Sequence, residues 1–218
     1  MQPNISRVSH NFSCLLIALT LIPASLHLAA AEATNATAKP KEPDVIYVPT
    51  PQPVVDKMLE LAEVKTGDVV YDLGCGDGRI VVTAAKKYGV KAIGFDIDPQ
   101  RVKEANENVR SNKVEHLVTI KQEDIFTLDL REANVVTLYL LPDLNVRLMP
   151  QLAKLKPGSR IVSHDFDMRG AKPVQTVEVA GGDSSNGDDS NDGTHTVYKW
   201  VVPWQPEGTE PAAKPSKR

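Results

Sequence analysis

The 218-residue chain is predicted to fold as an α/β protein with a Rossmann-like, doubly wound sheet of seven strands, mostly parallel and ending in a C-terminal antiparallel hairpin. Three observations predict this. Short β-branched runs alternate with segments of helical period, a glycine-rich turn joins one such run to the helix after it, and the last two runs have no helix between them. The composition, 41% hydrophobic and 24% charged, is that of a globular protein. A formal net charge of −3 offers no general grip on a phosphate backbone and argues against a non-specific nucleic-acid binder.

Each element has a local signature. Thr50 followed by Pro51 reads as a cap-then-proline start, and Val54, Val55, Met58, Leu59 and Ala62 repeat at helical spacing, which predicts a helix over 51–63. Residues 68–73 are the first strand. Residues 79–88 carry Ile80, Ala84 and Tyr88 on one helical stripe before Gly89 ends it. The second strand is 91–95, and Asp98 then caps a helix opened by Pro99, with Val102, Ala105 and Val109 facing inward. Strands at 117–121, 135–140 and 160–163 continue the series, with helical segments around 144–155 split by Pro150. Residues 174–179 and 194–202 have only an acidic stretch between them, so they are expected to pair as a hairpin with a mobile loop at 181–193.

The ends read differently. Arg7 is the only charged residue before Glu32, an apolar run covers 14–22, and Ala29-Ala30-Ala31 has the small-x-small form of a signal-peptidase site, which predicts a cleaved export signal over 1–31. Pro23, Ser25 and His27 interrupt the apolar run and weigh against a spanning helix, although an uncleaved membrane anchor is the alternative. The mature protein is then periplasmic or secreted. A flexible lead-in over 32–46, a domain over 47–203 and a disordered tail over 204–218 complete the organisation. Two cysteines, Cys14 and Cys75, make no disulfide framework.

The chemistry is concentrated in Asp72-Leu73-Gly74-Cys75-Gly76-Asp77-Gly78-Arg79. A glycine-rich turn between strand and helix lets a ligand approach the backbone closely. The dinucleotide spacing G-x-G-x-x-G is not met, because Arg79 stands where the third glycine belongs, and the G-K-[ST] of a phosphate loop is absent. Asp72 beside the loop would repel a pyrophosphate and attract an ammonium. Asp96 ends the second strand, where an acid can accept hydrogen bonds from ribose hydroxyls, and Asp124 follows the third. Three acids at the carboxyl ends of consecutive strands suit a nucleoside joined to an amino acid.

This segment resembles the S-adenosylmethionine-binding motif of class I, seven-strand methyltransferases, over 47–202. The resemblance implies that Asp72, Gly74, Cys75, Gly76, Asp77 and Gly78 hold the methionine end of S-adenosyl-L-methionine, Asp96 the ribose, and Asp124 with Ile125 the adenine, with Tyr47 and Ile97 also in contact. Closer in, Tyr47-Val48-Pro49-Thr50-Pro51, the loop itself, Tyr139-Leu140-Leu141-Pro142 and Arg160-Ile161-Val162-Ser163 resemble the lysine methyltransferases of mitochondrial adenine nucleotide translocase and the ATP synthase c subunit. Those relatives carry serine at Cys75 and glutamate at Asp96, and a membrane-targeting segment where this chain has an export signal. The implied activity is methyl transfer to a protein lysine. A small-molecule N- or O-methyltransferase and a non-catalytic cofactor-binding module are the alternatives.

Tyr139, Pro142 and His164 are the candidates for the acceptor end, with His164 and Asp165 as a proton-accepting pair weakened by their adjacency, since strand neighbours point to opposite faces. The helix over 51–63 and residues 47–49 are expected to cover the crevice. Cys75 reads as a small residue facing inward. The sequence shows no metal-ligand cluster, and the N-P-P-Y signature of DNA amino-methylation is missing after the fourth strand.

Overall fold

In the computed structural model, residues 42–181 and 193–208 are described. The expected leader at 1–31, most of the lead-in, residues 182–192 of the acidic stretch and residues 209–218 of the tail lie outside them.

In chain order the elements are α1 (Gln52–Leu61), β1 (Val69–Leu73), α2 (Arg79–Tyr88), β2 (Lys91–Asp96), α3 (Pro99–Ser111), β3 (Val118–Gln122), β4 (Val135–Leu138), α4 (Pro142–Leu152), β5 (Arg160–His164), β6 (Ala171–Lys172), β7 (Gln175–Ala180), β8 (Thr194–Val201) and β9 (Gln205–Pro206), with a 3-10 turn at Ile125–Thr127. The main sheet has seven strands in the order β3-β2-β1-β4-β5-β8-β7. Pairings from β3 across to β5 are parallel, and β8 is antiparallel to both β5 and β7. The expected fold class is the observed one. The chain runs from β1 out to β2 and β3 on one side and then crosses back to β4 on the other, so a crevice opens at the carboxyl ends of β1 and β4, the switch point where such folds bind ligands.

Strand alternation divides the core between the two sheet faces. Val70, Val135 and Val162 join the buried faces of α1 and α2, whereas their neighbours Tyr71, Val136 and Ile161 join Leu148 and Leu152 of α4 with the fully buried Trp200. Because these central strands are covered on both faces, they read as continuous apolar runs. Arg160 stitches the base of this arrangement. Its Nε donates to the Ala62 carbonyl at 2.9 Å, just past α1, and its Nη2 is ion-paired with Asp68, itself buried, ahead of β1.

Four local expectations change. Thr50 makes no cap: α1 starts after Pro51 without a side-chain hydrogen bond, and Thr50 Oγ1 instead meets His164 Nδ1 at 3.2 Å. α4 is not split, because Pro150 sits in its last turn, where the missing N–H costs one hydrogen bond without ending the helix. β4 stops at Leu138, leaving Tyr139 beyond the strand. The predicted tail begins inside the fold, since Gln205 and Pro206 pair with Lys172 and Ala171 and Trp204 packs on the core. The expected cap at Asp98 is present, its side chain accepting from Gln100 N at 2.8 Å.

Removing the Asp68 carboxylate strands the Arg160 guanidinium in a mostly buried position. Asp68→Ala is therefore expected to lower urea-unfolding stability by roughly 3 kcal/mol. A loss within experimental error of zero would show that the pair does not hold α1, β1 and β5 together.

Candidate active site

The glycine loop owes its shape to three left-handed residues, Gly74, Gly76 and Gly78, where a side chain would be strained. Gly76 has φ of 53°, and a Cβ there would lie 2.2 Å from the Tyr47 ring; Gly78, at φ 76°, precedes the first residue of α2 with Ala105 Cβ 3.0 Å from where its own Cβ would be. The loop backbone is tied to β2: Gly74 N and Cys75 N both donate to the Phe95 carbonyl at 2.9 Å, and Gly76 N donates to Asp96 Oδ2 at 2.9 Å. Cys75 faces inward against Gly94, and burial pushes its thiol pKa up, with Asp72 and Asp96 adding to the shift. It is a packing residue, as its size suggested.

Above the loop lies a crevice of about 940 Å³ including its open mouth, a volume suited to a nucleoside-sized ligand. Tyr47, Asp72, Gly74, Cys75, Asp77, Asp96, Ile97, Asp124, Ile125 and Tyr139 all line it. Gly76 and Gly78 do not, the first being covered by the Tyr47 ring and the second packed against α3. The wall before α1 comes from residues 43–50, so part of the expected linker belongs to the crevice. α1 itself turns Val54, Val55, Met58 and Leu59 onto the core and leaves the covering to the segment ahead of it.

Asp72 is the electrostatic centre. Its Oδ1 accepts from Thr137 Oγ1 at 2.7 Å, whereas the buried Oδ2 has no partner. Burial raises its pKa to about 7, opposed by the Thr137 hydrogen bond and assisted by the charges of Asp96 and Asp77. A ligand ammonium would supply the missing partner. Asp96 is pushed up by burial and held down by the N–H groups of Asp98 and Gly76, which donate to it. A carboxylate has about four acceptor sites, so room is left for ribose hydroxyls. Asp124 accepts from Phe126 N at 3.1 Å, capping the 3-10 turn beside Ile125. These groups fit S-adenosylmethionine, with a cation at one end and a nucleoside at the other.

Three contributors were not singled out from the sequence. Thr137 is the β4 neighbour of Asp72 in register, a buried polar residue in an otherwise apolar strand, and that contrast was the available signal. Arg79 grips Asp77 through Nε and Nη2, the latter at 2.8 Å, and donates from Nη1 to the Thr50 carbonyl at 2.8 Å, which pins the covering segment to the loop. Arg101 lays its guanidinium over the Tyr47 ring, 4.7 Å from the centroid.

At the other end, Tyr139 is half-buried and its ring packs at a tilt of 32° against His164, ring centroids 3.8 Å apart. His164 is fully buried behind the crevice wall, and that burial lowers its pKa, keeping the ring neutral. Pro142 occupies the first position of α4, a structural placement that proline favours, and does not line the crevice. His164 and Asp165 do meet, because Asp165 has φ of 56° and its Oδ2 turns back to within 3.2 Å of His164 Nε2. The strand alternation that would separate them ends one residue too early. His195, on β8, joins them.

A protein-lysine N-methyltransferase from Saccharolobus islandicus is 46% identical over 162 residues, covering 73% of this chain and 95% of its own. A family model described as the ANTKMT methyltransferase domain matches residues 72–175. The chain belongs to the ANTKMT methyltransferase family. A solved RNA methyltransferase from Salinibacter ruber, in complex with S-adenosyl-L-homocysteine, shares 45% identity and superposes with a TM-score of 0.63 over 78% of this chain and 100% of that one. The Xenopus laevis lysine N-methyltransferase named for the c subunit of ATP synthase is 30% identical across 55% of this chain and 53% of its own. This family member is an S-adenosylmethionine-dependent methyltransferase.

Two outcomes are expected. Gly76→Ala must displace the Tyr47 ring and adopt a left-handed backbone, so urea unfolding should show a loss of roughly 1–3 kcal/mol; unchanged stability would mean that Tyr47 does not rest on the loop. Asp72 holds its proton more tightly folded, with a pKa of about 7, than unfolded. Its contribution to stability is therefore complete below pH ~4 and is lost as pH rises through 7. The unliganded Asp72→Asn variant should accordingly lose less stability than wild type between pH 4 and pH 8, whereas equal losses would contradict the assignment.

Proposed function

We propose that this methyltransferase transfers the methyl group to the ε-amine of a protein lysine, with Asp72 and the glycine loop holding the methionine end of the cofactor, Asp96 the ribose, and Asp124 with Ile125 the adenine. The observation that carries the acceptor class is the 46% identity, across 95% of its length, to a protein-lysine N-methyltransferase. Bound in the crevice, S-adenosylmethionine supplies an electrophilic methyl on its sulfonium. What the chain provides is alignment, because an in-line displacement needs the nucleophile held opposite the leaving sulfur.

The mouth suits a cationic side chain on an apolar stem. Val48 and Leu141 are exposed, and Pro49, Tyr139, Leu140 and Leu144 line the acceptor side of the crevice. A lysine must arrive neutral to attack, and desolvation among such groups lowers its pKa from about 10.4. An RNA acceptor is the second reading, favoured by the name of the Salinibacter ruber relative. Charge weighs against it. The two arginines lining the crevice are committed to carboxylates, Arg79 to Asp77 at 2.8 Å and Arg101 to Glu104 at 2.6 Å, and the chain carries a net charge of −3.

Export belongs to the same reading. The apolar run at 14–22 and Ala29-Ala30-Ala31 support a signal cleaved near residue 31. No helix among the described residues is long and apolar enough to cross a membrane.

Asp96→Ala should weaken binding of S-adenosylhomocysteine roughly ten- to a hundredfold by calorimetry, the loss of a charge-assisted hydrogen bond. Equal affinity would remove Asp96 from the site. Labelled cofactor incubated with the enzyme and an envelope extract of the native host should leave label in methylated lysine, lost in Asp72→Ala. Label recovered in RNA or only in small metabolites would make the lysine assignment wrong.

A further inference from the structure

β5 and β8 bring together three side chains to which the methyl-transfer chemistry assigns no role. His164 Nε2 lies 2.9 Å from His195 Nδ1 and 3.2 Å from Asp165 Oδ2, and His195 Nδ1 lies 2.9 Å from the same Oδ2. Each of the three side chains offers one ligand atom, and the three atoms lie within 4.8 Å of one another, a grouping that could hold a metal ion.

We propose that His164 Nε2, His195 Nδ1 and Asp165 Oδ2 bind one divalent first-row transition-metal ion. The three atoms have the separations of adjacent positions around an octahedral ion, roughly 3.0 Å for metal–ligand distances of about 2.1 Å. An ion at that distance from all three stands ~1.2 Å off their plane. Two imidazoles and one carboxylate on one face are a donor set that such ions favour over magnesium or calcium.

Two of the three outer atoms are already fixed, as ligands require, while His195 Nε2 is buried without a hydrogen-bond partner. His164 Nδ1 faces Thr50 Oγ1 at 3.2 Å, leaving Nε2 for the triangle. Asp165 Oδ1 accepts from Thr196 N at 2.8 Å, which leaves Oδ2 free to ligate, and the left-handed backbone at Asp165, with φ of 56°, is what aims it there. His164 is buried, whereas Asp165 is partly exposed to solvent. Through Thr50 and the Tyr139 ring, an ion here would brace the acceptor end of the crevice without entering it.

The test is titration of the chelator-stripped, untagged full chain with Co2+, followed by its visible absorption, with Zn2+ as competitor. Wild type and His116→Ala are expected to take up about one equivalent, while His195→Ala and Asp165→Ala bind at least roughly tenfold more weakly. Binding of S-adenosylhomocysteine certifies the fold of each variant. Should both ligand variants lose it, Thr50→Val, which leaves the three donors in place, must weaken Co2+ binding roughly tenfold. Absence of Co2+ uptake by wild type, or uptake unchanged in the ligand variants or in Thr50→Val, overturns the proposal.

Discussion

Burying a carboxylate is costly, and Asp72 is buried at the end of the central strand with only one of its oxygens bonded. Much of the site follows from that unpaired oxygen. Asp96 and Asp77 stand close enough to raise its pKa further, so the carboxyl ends of β1 and β2 together form an acidic concavity that calls for a cation. The backbone must then pass close by without side chains, which is what the left-handed turns at Gly76 and Gly78 allow. The space above Gly76 is taken by the Tyr47 ring, held from the other side by Arg101, while Arg79 fastens Thr50 to the loop. The covering segment and the floor are in this way one assembly.

The two ends of the crevice have opposite character. The cofactor end is polar and acidic, built from strand termini and the loop after β1; the acceptor end is apolar, built from the segment before α1 and from the start of α4. The acidic end is the one most fully determined by backbone geometry, with Gly74 N, Cys75 N and Gly76 N all tied to β2. The apolar end rests on side-chain packing, with Tyr139 packed at a tilt against His164 and Thr50 bonded to the same ring. Relatives of nearly equal identity carry the names of a protein-lysine and an RNA methyltransferase.

Much of the fold was legible because local signals and tertiary demands agree. The alternating runs, Gly89 after α2 and the Asp98 cap of α3 each have a local cause, and the absence of a helix between β7 and β8 leaves antiparallel pairing as the short connection. The misreadings have long-range causes. Thr50 looks like a cap, but a buried imidazole 114 residues away takes its hydroxyl. Pro150 looks like a break, yet in the last turn of α4 it forfeits only one hydrogen bond. Gln205 and Pro206 look like tail, and pair because Ala171 and Lys172 offer an edge. His195 was invisible beside His164, since only the register of β8 on β5 brings it there and only the φ of Asp165 turns the carboxylate to meet both. Spacing along the chain carries no trace of that meeting.

The central claim is that the unpaired oxygen of Asp72 awaits the cofactor's ammonium. Calorimetric titration with S-adenosylhomocysteine in buffers of different ionisation enthalpy measures the protons exchanged on binding. At pH 6 the free carboxyl, with its pKa of about 7, is mostly protonated, and pairing with the ligand must ionise it. The account predicts release of nearly one proton at pH 6 by wild type, shrinking toward zero above pH 8, and no such release by Asp72→Asn. Binding without proton release at pH 6, or release that persists in Asp72→Asn, would contradict it.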